Sequence, residues 1–118
     1  PSHRRHATQL PLTHAGMHWF IGHYLRGPGD KDDWRASPLR AADFARLPPA
    51  LVITAGFDPL RDEGEAYAAA LRGAGVPVEH ERFEGQIHGF VAMGRMVADA
   101  DRAIRRAAAF LRQAFKLS

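Results

Sequence analysis

The chain has 118 residues, of which 46% are apolar and 25% charged, a composition typical of a globular domain that excludes a disordered or fibrous chain. It contains no cysteine, which excludes disulfides, zinc–thiolate sites and cysteine nucleophiles. The formal net charge is +3, but the arginines are scattered, without the basic stripe and interleaved aromatic residues that indicate nucleic-acid binding. No apolar run approaches the roughly 20 residues that a membrane-spanning helix needs.

The first part of the chain, residues 1–49, carries one predicted helix between two irregular stretches. Residues 1–12 show no periodicity, which is typical of a tail or a connecting segment. A helix is predicted over residues 13–26, because a threonine N-cap precedes apolar side chains at helical spacing. That apolar face comprises Met17, Phe20, Ile21, Tyr24 and Leu25. Residues 28–49 are rich in turn formers, and we expect one short helical turn at 43–47.

An unbroken apolar run at residues 50–56 predicts the first strand. Because the run lacks alternation of polar and apolar side chains, we expect it to be buried on both faces, as in a parallel sheet. The helix that follows is predicted to start with Asp62 as its N-cap, with Glu65 completing a pair similar to a capping box. The same helix is predicted to end at Gly73 or Gly75.

A second strand is predicted over residues 76–83, and its polar character favours an edge position. A final helix is predicted over about residues 95–115. The predicted inner face of that helix comprises Val97, Ala100, Ile104, Ala107, Ala108, Leu111 and Phe115. Residues 50–118 therefore predict an α/β fold of strand, helix, strand and helix, in one domain with residues 1–49. Two strands cannot cover both faces of a stable parallel sheet, so we expect the sheet to be incomplete.

Two polar residues of types that are common in catalytic sites follow the two predicted strands. Asp58 comes directly after the first strand and His88 after the second. Because parallel strands end at the same edge of a sheet, we expect the two side chains to face each other there. A carboxylate bonded to an imidazole fixes the ring's tautomer and stabilises the imidazolium form. Taken singly, each residue also has a structural interpretation, the aspartate as a turn former and the histidine as a packing residue.

The words around these two residues are more specific than either residue alone. The stretches AGFDPLRDEG at residues 55–64 and GQIHGF at residues 85–90 resemble the bacterial hormone-sensitive-lipase-like branch of the α/β-hydrolases. Ser37-Pro38-Leu39 and Leu47-Pro48-Pro49-Ala50 match the family's approach to the acid-bearing strand. The resemblance implies the C-terminal part of an α/β-hydrolase fold, with the last two parallel strands, their crossover helix and the C-terminal helix.

The resemblance also implies a function. It assigns Asp58 as the acid and His88 as the general base of a Ser-His-Asp triad that hydrolyses small carboxylic esters, with neither a cofactor nor a metal. It places the helical segment with Trp19 and Phe20 near the substrate. Phe90, which follows the base, is a further candidate contact to substrate, and we expect it to pack beneath the catalytic turns together with Phe57.

One part of the family pattern is missing from the chain. The serines are Ser2, Ser37 and Ser118, and none lies in the G-x-S-x-G word of the nucleophile. There is also no His-Gly-Gly word for an oxyanion hole. The expectation is that both motifs lie N-terminal to Pro1, so that the isolated chain is inactive.

Two alternatives stay open. The chain could be a non-catalytic truncated product that folds by self-association or by pairing with the missing half. It could also be a small binding module, which would have no need of Asp58 or His88. His14 and His18 share a helical face, but two ligands without a third predict no metal site. The sequence leaves the compartment open, with the cytoplasm as the default expectation.

Overall fold

The computed structural model describes residues 1–8 and 10–116, and its elements are consistent with an α/β fold. Its regular elements are the helices α1 (Ser2–Arg5), α2 (His14–Tyr24), α3 (Arg61–Gly73) and α4 (Ala98–Ala114) and the strands β1 (Ala50–Phe57) and β2 (Val78–Ile87). Short 3-10 turns lie at Pro28–Asp32, Pro38–Arg40 and Phe90–Ala92. Among residues 1–8 and 10–116, no helix is long and apolar enough to cross a membrane.

β1 and β2 pair in parallel and form a two-stranded sheet. The ladder begins where Ala50 N donates to Pro77 O, and the register is irregular between Ala55 and Phe57. Gly56 lies at this irregularity, where a Cβ would meet the backbone carbonyl of Glu84. The close approach of the two strands therefore requires glycine at this position. Among the described residues, β1 has a strand partner along one edge only, which agrees with the expected incomplete sheet.

The second strand lies later in the chain than predicted. It spans Val78–Ile87, whereas the prediction placed it at residues 76–83. Val76 is used by the preceding turn, where its amide donates to Leu71 O, so the ladder cannot begin there. At the other end the glycine and glutamine before His88 continue the strand, although they lack the β-branched pattern that marks strands in a sequence.

The core lies between the sheet and α4. It consists of Ala55, Phe83, Phe90, Ala100 and Ala103, with Ile53 and Val97 packed against it. The predicted inner face of the last helix was partly wrong, because it included Ile104. In the structure Phe83 is buried and Ile104 is half exposed. Small alanines on α4 let the helix approach the bulky Phe83 ring, and Arg102 stacks over that ring at 4.3 Å.

Residues 10–49, which precede β1, pack less deeply. α2 is capped as predicted, because the hydroxyl of Thr13 accepts from the amide of Gly16 at 3.0 Å. No residue of this helix is buried. The helical turn expected at 43–47 is wrong: Asp43 Oδ1 accepts from Ala45 N and Arg46 takes a φ of 63°, which together form a non-helical turn. Large apolar side chains that remain exposed include Trp19, Phe20, Tyr24, Trp34, Met96, Leu111 and Phe115.

Candidate active site

The two polar residues that follow the strands meet at the carboxyl edge of the sheet. Phe57 and Ile87 are partners in the register, so the next residue of each strand leaves the sheet at the same place. His88 Nδ1 lies 2.9 Å from Asp58 Oδ2, a hydrogen-bond distance. The expected contact between the two side chains is therefore present in the structure.

Asp58 is held through both carboxylate oxygens. Oδ2 faces His88, while Oδ1 accepts from the amide of Leu60 at 2.8 Å. The backbone carbonyl of Asp58 accepts from the amide of Arg61, which closes the turn. The side chain is only 13% exposed. The turn-forming role and the contact with the imidazole thus use different oxygens of one carboxylate.

His88 is held from one side. An ionised carboxylate only accepts hydrogen bonds, so Nδ1 carries the proton, and in the neutral ring Nε2 is left as the acceptor. The side chain is 39% exposed, and no hydrogen bond joins its Nε2 to the described residues. Gly89 follows with a φ of 74°, a conformation that favours glycine, and turns the chain into the buried Phe90. This arrangement gives a base whose Nε2 can take a proton from a third group.

The start of α3 differs from the prediction. The helix begins at Arg61, with Leu60 in the N-cap position, so Asp62 lies inside the first turn and is not the cap. The Asp58 turn leads directly into Arg61, so the helix has already begun when the chain reaches Asp62. The hydrogen bond from Arg61, assisted by a backbone amide bond from Ser2, holds the pKa of Asp62 below its usual value. The predicted capping partner, Glu65, pairs instead with an arginine of β2.

Phe57 and Phe90 differ from each other in their surroundings. Phe90 is buried and its ring lies 5.0 Å from that of Phe83. It therefore packs in the core next to the His88 turn, as expected, while its contact to substrate stays a prediction. Phe57 was expected to pack beneath the turns as well, yet it is about half exposed and meets the edge of the buried His6 ring.

Trp19 and Phe20 lie on α2, and both are largely exposed. Their rings meet edge to face at 5.0 Å. Phe20 lines a mostly apolar cavity of about 590 Å³, whose wall also includes Leu60 of the Asp58 turn. Trp19 does not line this cavity and packs on His23. The structure therefore brings Phe20, but not Trp19, to a cavity that reaches the acid turn.

The other histidines do not join the pair. His80 hydrogen-bonds the hydroxyl of Thr54 across the two strands. His14 and His18 contact each other through Nε2 atoms 3.2 Å apart. Among the residues that the structure describes, no group of three or more histidine, aspartate or glutamate side chains is arranged to hold a metal ion.

Ser2 is the residue near the site that sequence reasoning missed. It is buried and bonds both Pro59 and Asp62 from a distance of about sixty positions along the chain. No periodic pattern or motif relates such distant positions, and Ser2 lies in a stretch that was expected to be irregular.

Known proteins share the fold and the sequence of this chain. The sequence profile of a family described by its alpha/beta hydrolase fold matches residues 1–92. The chain belongs to the α/β-hydrolase family. Within the family it falls among the hormone-sensitive-lipase-like esterases, as the motifs around Asp58 and His88 predicted.

Two curated relatives of this α/β-hydrolase chain are ester hydrolases by name. The carboxylic ester hydrolase LipN of Mycobacterium tuberculosis is 49% identical over 81 residues, which are 68% of this chain and 22% of that protein. The ethyl acetate hydrolase of Pseudomonas putida is 38% identical over 101 residues, which are 86% of this chain and 32% of that protein. The chain thus spans a third or less of the length of these two relatives.

Solved structures agree with the fold. An ester hydrolase from the metagenome of Lake Arreo matches with a TM-score of 0.91 and 43% identity, over 98% of this chain and 36% of that chain. A hyperthermophilic esterase from the archaeon Pyrobaculum calidifontis matches with a TM-score of 0.91 and 40% identity, over 95% of this chain and 37% of that chain. The predicted fold class, an incomplete α/β-hydrolase sheet, is confirmed.

Proposed function

We propose that this chain supplies the acid and the base of a Ser-His-Asp triad in a carboxylic ester hydrolase. The observation that carries the proposal is the hydrogen bond of 2.9 Å between His88 Nδ1 and Asp58 Oδ2 at the carboxyl edge of the sheet. The esterase names of the relatives support it. The substrate is a small carboxylic ester.

The chemistry divides between the two residues. A serine outside the 118 residues attacks the ester carbonyl while His88 Nε2 removes its proton. Nε2 then returns that proton to the leaving alcohol. A water molecule attacks the acyl-enzyme while Nε2 takes its proton, and Nε2 returns this proton to the serine oxygen as the carboxylic acid leaves. Asp58 stays ionised, keeps the proton on Nδ1 and stabilises the imidazolium that forms in each step. Acyl transfer of this kind requires no cofactor.

Uncovered surfaces of the chain support the presence of a partner that packs against them. A folded domain normally covers surfaces such as the edge of β1 that lacks a strand partner among the described residues, and the exposed apolar side chains of α2 and α4. The rest of a hydrolase domain, carried on the same or another polypeptide, is the partner that would also bring the serine. Self-association of the chain through the same surfaces is the competing outcome, and it would leave the triad without a nucleophile.

Hydrolysis of a p-nitrophenyl ester tests the proposal in two preparations. The chain alone should show no turnover above that of free histidine, and a fluorophosphonate should not label it. The complete enzyme, meaning this chain together with the segment that carries the serine, should be active. In the complete enzyme His88→Ala should lower kcat by about 10⁴-fold or more, since triad members act as a unit.

His80→Ala is the matched control, because His80 lies on β2, the strand that His88 follows, but bonds Thr54 instead of Asp58. Its kcat should stay within about threefold of the wild type, because it makes no contact with the reacting atoms. Fluorophosphonate labelling of the chain alone, or wild-type activity in His88→Ala, would overturn the proposal.

A further inference from the structure

Helix α3, which follows the Asp58 turn, has no side-chain cap from its own N-cap residue. The first amides of a helix have no partner within it and need an outside acceptor. Leu60 holds the N-cap position and offers no side-chain acceptor. The amide of Asp62 donates instead to Ser2 Oγ at 3.1 Å. The N-terminus of α3 is therefore capped by a residue sixty positions away.

Ser2 and Asp62 are bonded in both directions. The amide of Ser2 donates to Asp62 Oδ2 at 2.6 Å, while the amide of Asp62 donates to the Ser2 hydroxyl. This is the reciprocal pattern of a capping box, in which serine and carboxylate satisfy each other's amide, but here the two partners come from distant segments.

The Ser2 hydroxyl also reaches into the acid turn. It donates its proton to the carbonyl of Pro59 at 2.7 Å, so the one hydroxyl both donates and accepts. Ser2 is 1% exposed, and Pro59 is buried as well. Water cannot easily replace a partner at such a place, so losing the hydroxyl leaves the Pro59 carbonyl without that bond.

A second set of bonds closes the other side of the turn. Arg61 Nη2 donates to Asp62 Oδ1 at 2.7 Å, and Arg61 Nη1 donates to the carbonyl of Gly56 at 3.1 Å. Asp58 thus lies between backbone groups that are fixed on both sides, Gly56 through Arg61 and Pro59 through Ser2. Both sets of bonds converge on Asp62.

We propose that Ser2, acting with Asp62, is a positioning residue that holds the Asp58 turn so that the acid stays aligned with His88. The proposal rests on the proposed function, since alignment matters only if the pair is catalytic. A shift of the Asp58 turn would lengthen the bond to His88 Nδ1 and free the imidazole to rotate. Misplacing a catalytic group by about 1 Å is enough to slow an enzyme by as much as 100-fold.

The test is Ser2→Ala in the complete enzyme, with kcat counted per serine titrated by a fluorophosphonate, so that unfolded molecules do not contribute. We expect kcat to fall about tenfold and KM to change less than about twofold, because the acid is misaligned while the substrate pocket is intact. Ser2→Thr, which keeps the hydroxyl, should restore kcat to within about threefold. The hydrogen-bonded Nδ1 proton of His88 should broaden in the NMR spectrum of Ser2→Ala.

Ser37→Ala is the matched control, because the Ser37 hydroxyl also donates to a backbone carbonyl, that of Lys31, but in an exposed loop. It should leave the Nδ1 signal of His88 unchanged. If Ser2→Ala does not accumulate as folded protein, Ser2→Cys replaces it, since the thiol fills the same space and is a weak hydrogen-bonding group.

Wild-type kcat and an unchanged Nδ1 signal in Ser2→Ala, or in Ser2→Cys where that variant is used, would overturn the positioning role. Failure of the proposed function gives a different result, because His88→Ala would then keep its activity whatever Ser2 does. A loss of kcat in Ser2→Thr as large as in Ser2→Ala would also contradict the proposal, since the hydroxyl would then not be the group that matters.

Discussion

The turn that carries Asp58 and the turn that carries His88 are built in opposite ways. The acid is 13% exposed, and both of its oxygens are bonded. The base is 39% exposed, and its bond to Asp58 is the one that holds its ring among the described residues. A triad acid keeps one partner throughout the reaction, whereas the base must exchange a proton with two others. The rigid acid turn and the open base turn match that division of tasks.

The largest expected effect comes from disturbing the close approach of β1 and β2 at Gly56, just before the Asp58 turn. An alanine at Gly56 would place its Cβ against the backbone of Glu84, which cannot move without breaking the ladder. Gly56→Ala should therefore lower the free energy of unfolding by about 3 kcal/mol or more. Urea unfolding of the complete enzyme measures this.

Gly85→Ala separates this steric cause from the general effect of replacing glycine. Gly85 lies on β2 beside Glu84, and an added Cβ there would meet nothing within 4 Å. Its free energy of unfolding should stay within about 1 kcal/mol of the wild type. Equal losses of unfolding free energy in the two variants would show that the pairing of β1 and β2 does not depend on their close approach at Gly56.

A smaller effect is expected at the base turn. Gly89 has a φ of 74° with open space where a Cβ would stand, so only backbone strain opposes a side chain there. Gly89→Ala should lower the free energy of unfolding by about 1–2 kcal/mol. If the base turn is as adaptable as its exposure indicates, the Asp58–His88 hydrogen bond should survive, and the Nδ1 proton of His88 should remain visible by NMR. Loss of that signal would mean that the base turn is as rigidly specified as the acid turn.

The smallest effect concerns the stability of the folded protein at low pH. The pKa of Asp62 is lowered in the folded state from 3.8, mainly because Arg61 hydrogen-bonds its carboxylate. Its stabilising contribution is therefore complete above about pH 4 and is lost as the pH falls through the lower folded pKa. Asp62→Asn should lose less stability than the wild type as the pH is lowered below about 4, in urea unfolding at fixed pH values.

Ser2→Ala serves as the comparison for this pH dependence. It removes the hydroxyl but keeps the backbone amide and the Arg61 bond that lower the pKa of Asp62. The variant should retain most of the wild-type pH dependence. A slope as shallow as that of Asp62→Asn would show that the hydroxyl, and not Arg61, governs the titration.

The position of the pair could be predicted from the sequence, because it follows from local rules. An apolar run such as residues 50–56 indicates a buried strand, and parallel strands end at one edge, so Asp58 and His88 had to lie close together. The motifs around them added the family. Helix ends were predicted well where a glycine marks them, as at Gly73 and Gly75.

What could not be predicted depends on packing between distant segments. The choice of Phe83 over Ile104 as the larger core residue follows from how closely α4 approaches the sheet, which no local pattern encodes. The cap of α3 comes from Ser2, so the local candidate, Asp62, was assigned the wrong role. Exposed aromatic residues such as Trp19 carry no sequence signal that distinguishes a pocket wall from an uncovered surface.

A double-mutant cycle on kcat in the complete enzyme shows whether Asp58 and His88 act as one catalytic unit. Asp58→Asn should lower kcat by about 10⁴-fold, and His88→Ala by at least as much. We expect the double variant to be no slower than His88→Ala alone, because Asp58 acts only through His88. If the two losses multiply in the double variant, the residues act independently and do not form a catalytic unit.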